Sequence, residues 1–350
     1  MESATPFPAD APIFVIAYPH SGTTMLRQVF GEAPEVFQCF AETFFFANLD
    51  DIRRVFRPIS DPGVRRELAH YVARIVHQLV PPGITPVEER RLDDAGADEI
   101  AAIDTDHVGT FVATLDYLTA EAGRKRWLEK TPPHIYDVDT IKATIPDACF
   151  VEIIRSPLDA LASKKTREEI ANANRGADGR PRVDRFFHPV WDAISWRASV
   201  RAGAALLRNH PDASVRVRYE DVVAAPEKVF RALCERANVT FVPAMLSIRR
   251  RNAVGAGPKE SGISPLSVER WREVLTPGEV AIIHLIVGRT AKAVGYDVPR
   301  GRVDRSAARW LLFTTVEPIE RLVKHARRTG WRSALSALGR YAGRMRPRRT

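Results

Sequence analysis

Cysteine is scarce. The 350 residues contain three, Cys39, Cys149 and Cys234, far apart and without the spacing of a metal site. Neither a disulfide framework nor a structural zinc organises this chain, and a reducing cytoplasm is the expected setting. Long apolar runs are missing as well. Nothing approaches the about 20 residues of a membrane span, and residues 1–12 hold two acids and no basic segment. Neither a transmembrane helix nor a signal peptide is expected. Acidic residues are in deficit, with Asp and Glu at 43 against 52 Lys and Arg, a net charge of +9 and a pI near 9.7. Such a balance suits an anionic ligand or surface, although much of the excess follows Arg300.

What the chain does have is an apolar residue content of 45%, ordinary for a globular enzyme, and one conspicuous stretch near its start. Pro12-Ile13-Phe14-Val15-Ile16-Ala17 reads as a buried strand, Tyr18-Pro19-His20-Ser21-Gly22 as a turn, and Thr23 onward as a helix with Met25, Leu26, Val29 and Phe30 at apolar positions. A strand, a tight turn and a helix N-terminus make an anion cradle. Backbone N–H groups converge there and the helix dipole adds positive charge.

The same alternation continues. Helical spacing recurs over 44–80, broken at Pro58 and Asp61-Pro62-Gly63, and the acid-rich stretch to Asp106 reads as a surface excursion. Residues 109–122, 138–144, 159–166, 191–208, 226–237 and 267–293 read as helical, the last with a break at Thr276-Pro277-Gly278. Trp127-Leu128-Glu129, Cys149-Phe150-Val151-Glu152-Ile153-Ile154 and residues 214–219 read as strands, whereas 168–190 and 252–264 read as loops. Strands alternating with helices predict an α/β protein, a three-layer P-loop-like fold with a central parallel sheet between helices. Residues 1–300 form the expected domain. Residues 301–350 form a basic amphipathic helical extension, in which Trp310, Phe313, Leu322, Trp331, Leu335 and Tyr341 recur among Arg and Lys. That extension suits packing or oligomerisation through residues 306–346, or contact with a membrane surface.

The turn has the frame of a nucleotide-binding P-loop but lacks its two most diagnostic residues: Ala17 stands at the first Gly and Thr23 at the Lys. A nucleoside-triphosphate enzyme needs that Lys and a metal-binding acid beyond a neighbouring strand. The run 149–154 ends instead in Arg155. A guanidinium there favours a bare phosphate and repels a cation, so metal-free transfer from a phosphate-rich donor is expected. Ser163 and Arg167, four apart on a helix, can face one anion together. An ATP-dependent P-loop kinase, and a degenerate nucleotide-binding or membrane-docking module, are the alternatives.

Tyr18-Pro19-His20-Ser21-Gly22-Thr23-Thr24 resembles the 5′-phosphosulfate loop of sulfotransferases, and Arg155-Ser156-Pro157 followed by Ser163 is similar to their 3′-phosphate motif. Glu129-Lys130-Thr131-Pro132 resembles a segment of the bacterial and Golgi-type members. Arg218-Tyr219-Glu220-Asp221 resembles the strand end whose Tyr meets the adenine, and Val268-Glu269-Arg270-Trp271-Arg272 a late Trp-bearing helix. The matches fall in family order over about residues 12–298. The resemblance implies a sulfotransferase-type fold, 3′-phosphoadenosine 5′-phosphosulfate as donor, 3′-phosphoadenosine 5′-phosphate as product, and no metal. It implies an acceptor hydroxyl or amine on a small molecule, glycan, lipid or peptide, and no nucleic-acid partner.

Carried over by position, Ser21, Gly22, Thr23 and Thr24 hold the phosphosulfate. Arg155 and Ser163, with Arg167, hold the 3′-phosphate, and Tyr219 borders the adenine; Ser261 and Arg270 match less cleanly. Lys130 and His20 stabilise developing charge. Glu42, within Ala41-Glu42-Thr43, resembles the general base of protein-tyrosine sulfotransferases, with His107, His134 and His188 as other candidate bases. His20 stands where the family usually has Arg or Lys, so the loop keeps its charge only if the imidazole is protonated.

Overall fold

The computed structural model describes residues 5–77, 92–173, 187–248, 267–310 and 314. Five strands, β1 (Ile13–Ile16), β2 (Val36–Gln38), β3 (Arg126–Glu129), β4 (Cys149–Ile154) and β5 (Ser214–Arg218), form one sheet in the order β2-β3-β1-β4-β5. Every pairing is parallel, with Ile13 opposite both Leu128 and Cys149. β1 is central. Parallel pairing demands crossovers, and these are helical: α1 (Thr23–Gly31), α2 (Leu49–Val55), α3 (Pro62–His77), α4 (Asp94–Ala102), α5 (His107–Glu121) and α6 (Val138–Thr144). Then follow α7 (Pro157–Ala173), α8 (Pro189–Asn209), α9 (Tyr219–Ala224), α10 (Pro226–Ala237), α11 (Trp271–Val274) and α12 (Pro277–Ala293).

The residues fall into two compact units, Met1–Ile154 with Gly203–Pro265, and Arg155–Ala202 with Leu266–Thr350. The first holds the whole sheet. Side chains alternate across the pleat, so Ile13, Val15, Val151 and Ile153 join Leu26 and Phe30 of α1 and Phe230 of α10 in one core. On the opposite face, Phe14 meets Trp127 at 5.4 Å and Phe150 at 5.6 Å, and Phe111 of α5 stacks on Phe45 at 4.2 Å. A helix layer on each side of the sheet is the predicted three-layer α/β arrangement.

In the second unit the capping box of Thr276 and Glu279 starts α12. Glu279 also receives Lys165 of α7 at 2.8 Å, and Val190, Ile282 and Ala307 close a small apolar cluster.

Three expectations need correction. The acid-rich stretch before Asp106 is no mere surface excursion: α4 forms there, capped by the Asp93 carboxylate, which accepts from Gly96 N–H, and it buries Ala97, Ile100 and Ala101. α7 runs well past residue 166, to Ala173, so the start of the expected 168–190 loop is helical. The helix expected from Ser267 starts only at Trp271, and α11 is one turn long; the break expected at Thr276-Pro277-Gly278 is where α12 begins. The remaining loop over 174–186, the loop over 252–264 with Ser261, and nearly all of 306–346 lie outside the described residues. Among the described residues no helix is long and apolar enough to cross a membrane.

Candidate functional site

β1 hands over to the turn through Ala17, whose N–H donates to Pro132 O at 3.2 Å and so ties the loop after β1 to the loop after β3. His20 (φ 68°) and Gly22 (φ 104°) are both left-handed and flank Ser21. Gly22 is required twice over. Its φ disfavours any other residue, and a Cβ there would lie 2.7 Å from Tyr219 Cδ2. Gly22 is also the N-cap of α1 and lends no side-chain cap, leaving the first-turn N–H groups of Thr23, Thr24 and Met25 for another acceptor. Ser21 is buried at 1% exposure, and among the described residues its Oγ has no hydrogen-bond partner. An orphaned hydroxyl beside uncapped N–H groups fits an anion such as a phosphosulfate. Tyr219, first residue of α9 beyond β5, packs its ring against this turn.

Glu42 follows β2, Lys130 follows β3, and the two side chains meet, with Nζ donating to Glu42 Oε1 at 2.5 Å. Lys130 is 5% exposed. Burial pushes its ammonium below the ordinary value of 10.5, and the Glu42 carboxylate opposes that shift. The pair thus joins a desolvated cation to a more accessible carboxylate.

Beneath it lies a feature that the sequence reading left without a role. Glu129, at the end of β3, is fully buried; its carboxylate accepts from Thr43 Oγ1 at 2.9 Å, from Thr131 Oγ1, and from His134 Nδ1 at 3.1 Å. The available signal was a charge closing an apolar strand, the same signal that singled out Arg155. The other candidate bases are enclosed: His134 is buried on Glu129, His107 is bonded to Phe56 O at 2.7 Å, and His188 is buried with its ring 5.0 Å from that of Trp310. Burial raises all three thiols, Cys149 to about 11 and Cys234 to about 12, so none is a ready nucleophile.

In the second unit, Arg155 precedes α7 and is 6% exposed. Its Nη2 donates to Ser267 O at 2.6 Å, and Trp196 Nε1 donates to the Arg155 carbonyl at 3.1 Å. Buried Asp159 accepts from the N–H groups of Glu269 (3.0 Å) and Trp271 (3.2 Å), which brings the segment of Arg270 to the first turn of α7. Further along that helix Ser163 is half-buried and Arg167 exposed. This unit gathers Arg155, Ser163, Arg167 and Arg270. The sheet unit gathers the turn, Glu42, Lys130 and Tyr219. Among the described residues no cluster of His, Cys, Asp or Glu could hold a metal ion.

A parallel sheet whose central strand feeds a helix through an uncapped turn is an α/β fold of the P-loop-like kind. A family model described as "Sulfotransferase family" matches residues 12–243, and the chain belongs to the sulfotransferase family, whose chemistry is sulfuryl transfer. Among solved structures it is similar to the sulfotransferase domain of the Synechococcus PCC 7002 olefin synthase, with 19% identity, a TM-score of 0.51, 85% of this chain and 99% of that one covered. It is similar also to a sulfotransferase domain from the curacin biosynthetic pathway, at 16% identity and a TM-score of 0.50, with 85% and 100% covered. Likeness at this identity shows the shared fold. No curated protein sequence matches the chain.

Proposed function

We propose that this sulfotransferase uses 3′-phosphoadenosine 5′-phosphosulfate and transfers its sulfuryl group to a hydroxyl or amine by metal-free in-line displacement. The observation that carries the reading is the Lys130–Glu42 pair at 2.5 Å, on a loop that the Ala17 N–H ties to the turn through Pro132 O, together with the buried Ser21 hydroxyl of that turn, which has no hydrogen-bond partner among the described residues. The donor brings an activated sulfuryl group on a phosphate leaving group. The turn N–H groups with Ser21, Thr23 and Thr24 bind its phosphosulfate, Arg155 and Ser163, with Arg167, its 3′-phosphate, and Tyr219 borders the adenine. Ser261 and Arg270 are the remaining contacts assigned to it.

Charge grows on the bridging and sulfuryl oxygens as the bond to sulfur breaks. Lys130 Nζ and His20 are the groups assigned to meet it, and such preorganised groups lower a barrier more than they strengthen ground-state binding. When Lys130 turns to that charge it releases Glu42 Oε1, which then takes the proton of the attacking acceptor. Donor engagement and base release are one movement in this scheme. Acceptors range over small molecules, glycans, lipids and peptides.

Release of 3′-phosphoadenosine 5′-phosphate, measured against a panel of hydroxyl and amine acceptors, tests the roles. Glu42→Gln is expected to lower kcat by about 10²-fold or more, the scale of general-base catalysis, with donor KM within a factor of two. An unchanged kcat in Glu42→Gln removes Glu42 from the mechanism.

A further inference from the structure

Glu42 and Lys130 belong to loops that follow different strands, and their meeting depends on what fixes those loops. Glu129 does so. It has no exposed surface, and a carboxylate that deep persists only when its oxygens are engaged. Oε1 accepts from Thr43 Oγ1 at 2.9 Å, from Thr131 Oγ1, and at a longer 3.4 Å from the Thr43 N–H; Oε2 accepts from His134 Nδ1 at 3.1 Å.

Thr43 follows Glu42 and Thr131 follows Lys130, so one carboxylate clasps the immediate neighbour of each. The two hydroxyls extend the clasp by accepting from backbone. Thr43 Oγ1 takes the Phe45 N–H at 3.3 Å, and Thr131 Oγ1 takes the Phe44 N–H at 3.4 Å. Phe44 stands at φ 50°, left-handed and 38% exposed, while Phe45 and Phe46 are buried. A strained residue two positions after the base is held there by the same network. Burial alone would push the Glu129 carboxyl up, yet His134, Thr131 and Thr43 together hold it below its ordinary value of 4.5, so it is ionised at neutral pH.

We infer that Glu129, oriented by His134, is a positioning residue for sulfuryl transfer, locking Thr43 and Thr131 so that Glu42 and Lys130 meet the reacting groups together. The inference rests on the assignment of Glu42 as base and Lys130 as cation. A network that merely stabilised the fold would affect melting and leave turnover per folded molecule alone. A positioning network lowers kcat at constant donor affinity, because small misplacements of reacting groups cost up to about 10²-fold.

Full-length wild type, Thr43→Val, Thr43→Ser and Glu129→Gln are compared by donor cleavage in the presence of the acceptor panel. Calorimetric titration with 3′-phosphoadenosine 5′-phosphate and thermal melts by circular dichroism accompany the kinetics. Thr43→Val keeps volume and removes the hydroxyl. Its kcat is expected to fall at least about 10-fold with donor KM and Kd within a factor of two, and Thr43→Ser, which keeps the hydroxyl, to recover most of the loss. Glu129→Gln, where folded, is expected to lose about 10²-fold in kcat at unchanged Kd. If Glu129→Gln does not fold, the Val and Ser pair at Thr43 decides.

A competent wild type with an unimpaired Thr43→Val overturns the positioning role alone. So does a loss of donor affinity in step with kcat that Ser fails to restore. A wild type that neither binds 3′-phosphoadenosine 5′-phosphate nor cleaves the donor overturns the functional reading itself, and the role of Glu129 falls with it.

Discussion

His20 sits in left-handed backbone at φ 68°, a region that histidine enters more readily than most residues with a Cβ. This accounts for how His is tolerated where the family usually places Arg or Lys, and it sets the electrostatic cost: a neutral imidazole gives one donor and no charge. His20→Arg restores the charge and is expected to speed donor cleavage; an unchanged rate would show that the turn needs no charge at this position.

At this scale the sequence was legible where chemistry and position coincided. Arg155 stood out because a charge abutting an apolar strand needs a partner, and the structure buries it with Nη2 on Ser267 O. Glu129 carried the same signal, but its partners Thr43 and His134 are distant from it or read as loop residues, so the network became visible only in three dimensions.

Elements were most legible where their apolar pattern is unbroken. β4 falls on the residues expected, as do α6 and α10, because a continuous buried run or a clear 3.6 period admits one reading. α4 was not legible, since its buried face is built of Ala97, Ile100 and Ala101, small side chains among acids that give little apolar contrast. α7 was underestimated for a similar reason, its C-terminal half being Lys, Thr, Arg and Glu around half-buried positions. Where a helix start is marked by its own chemistry the consequence can be measured. Thr276 caps α12 through the Glu279 N–H at 3.2 Å, and Glu279 returns the bond to the Thr276 N–H at 2.8 Å. Thr276→Ala is expected to lower stability by about 1 kcal/mol in denaturant unfolding, with no effect on donor affinity. An unchanged midpoint would show that the cap contributes nothing there.

For the molecule as a whole, the site residues follow the ends of the strands in turn. The anion turn follows β1, Glu42 follows β2, Lys130 follows β3, Arg155 follows β4, and Tyr219 follows β5. In open parallel sheets ligands bind outside the carboxyl ends of the strands, which is why the alternation of strand and helix seen in sequence directs attention to these positions. The chain's net charge of +9 accords with an anionic donor. The absent P-loop Lys at Thr23 separates this sheet from those that bind ATP with a metal.

Recognition of a bisphosphorylated adenosine, held in part by Arg155, is tested by one calorimetric titration. 3′-Phosphoadenosine 5′-phosphate is expected to bind with micromolar affinity or better. Arg155→Ala should weaken it by about 10-fold or more, as loss of a charge-assisted contact requires, and ATP with magnesium should bind far more weakly. Absence of binding, or equal affinity in wild type and Arg155→Ala, would contradict the account.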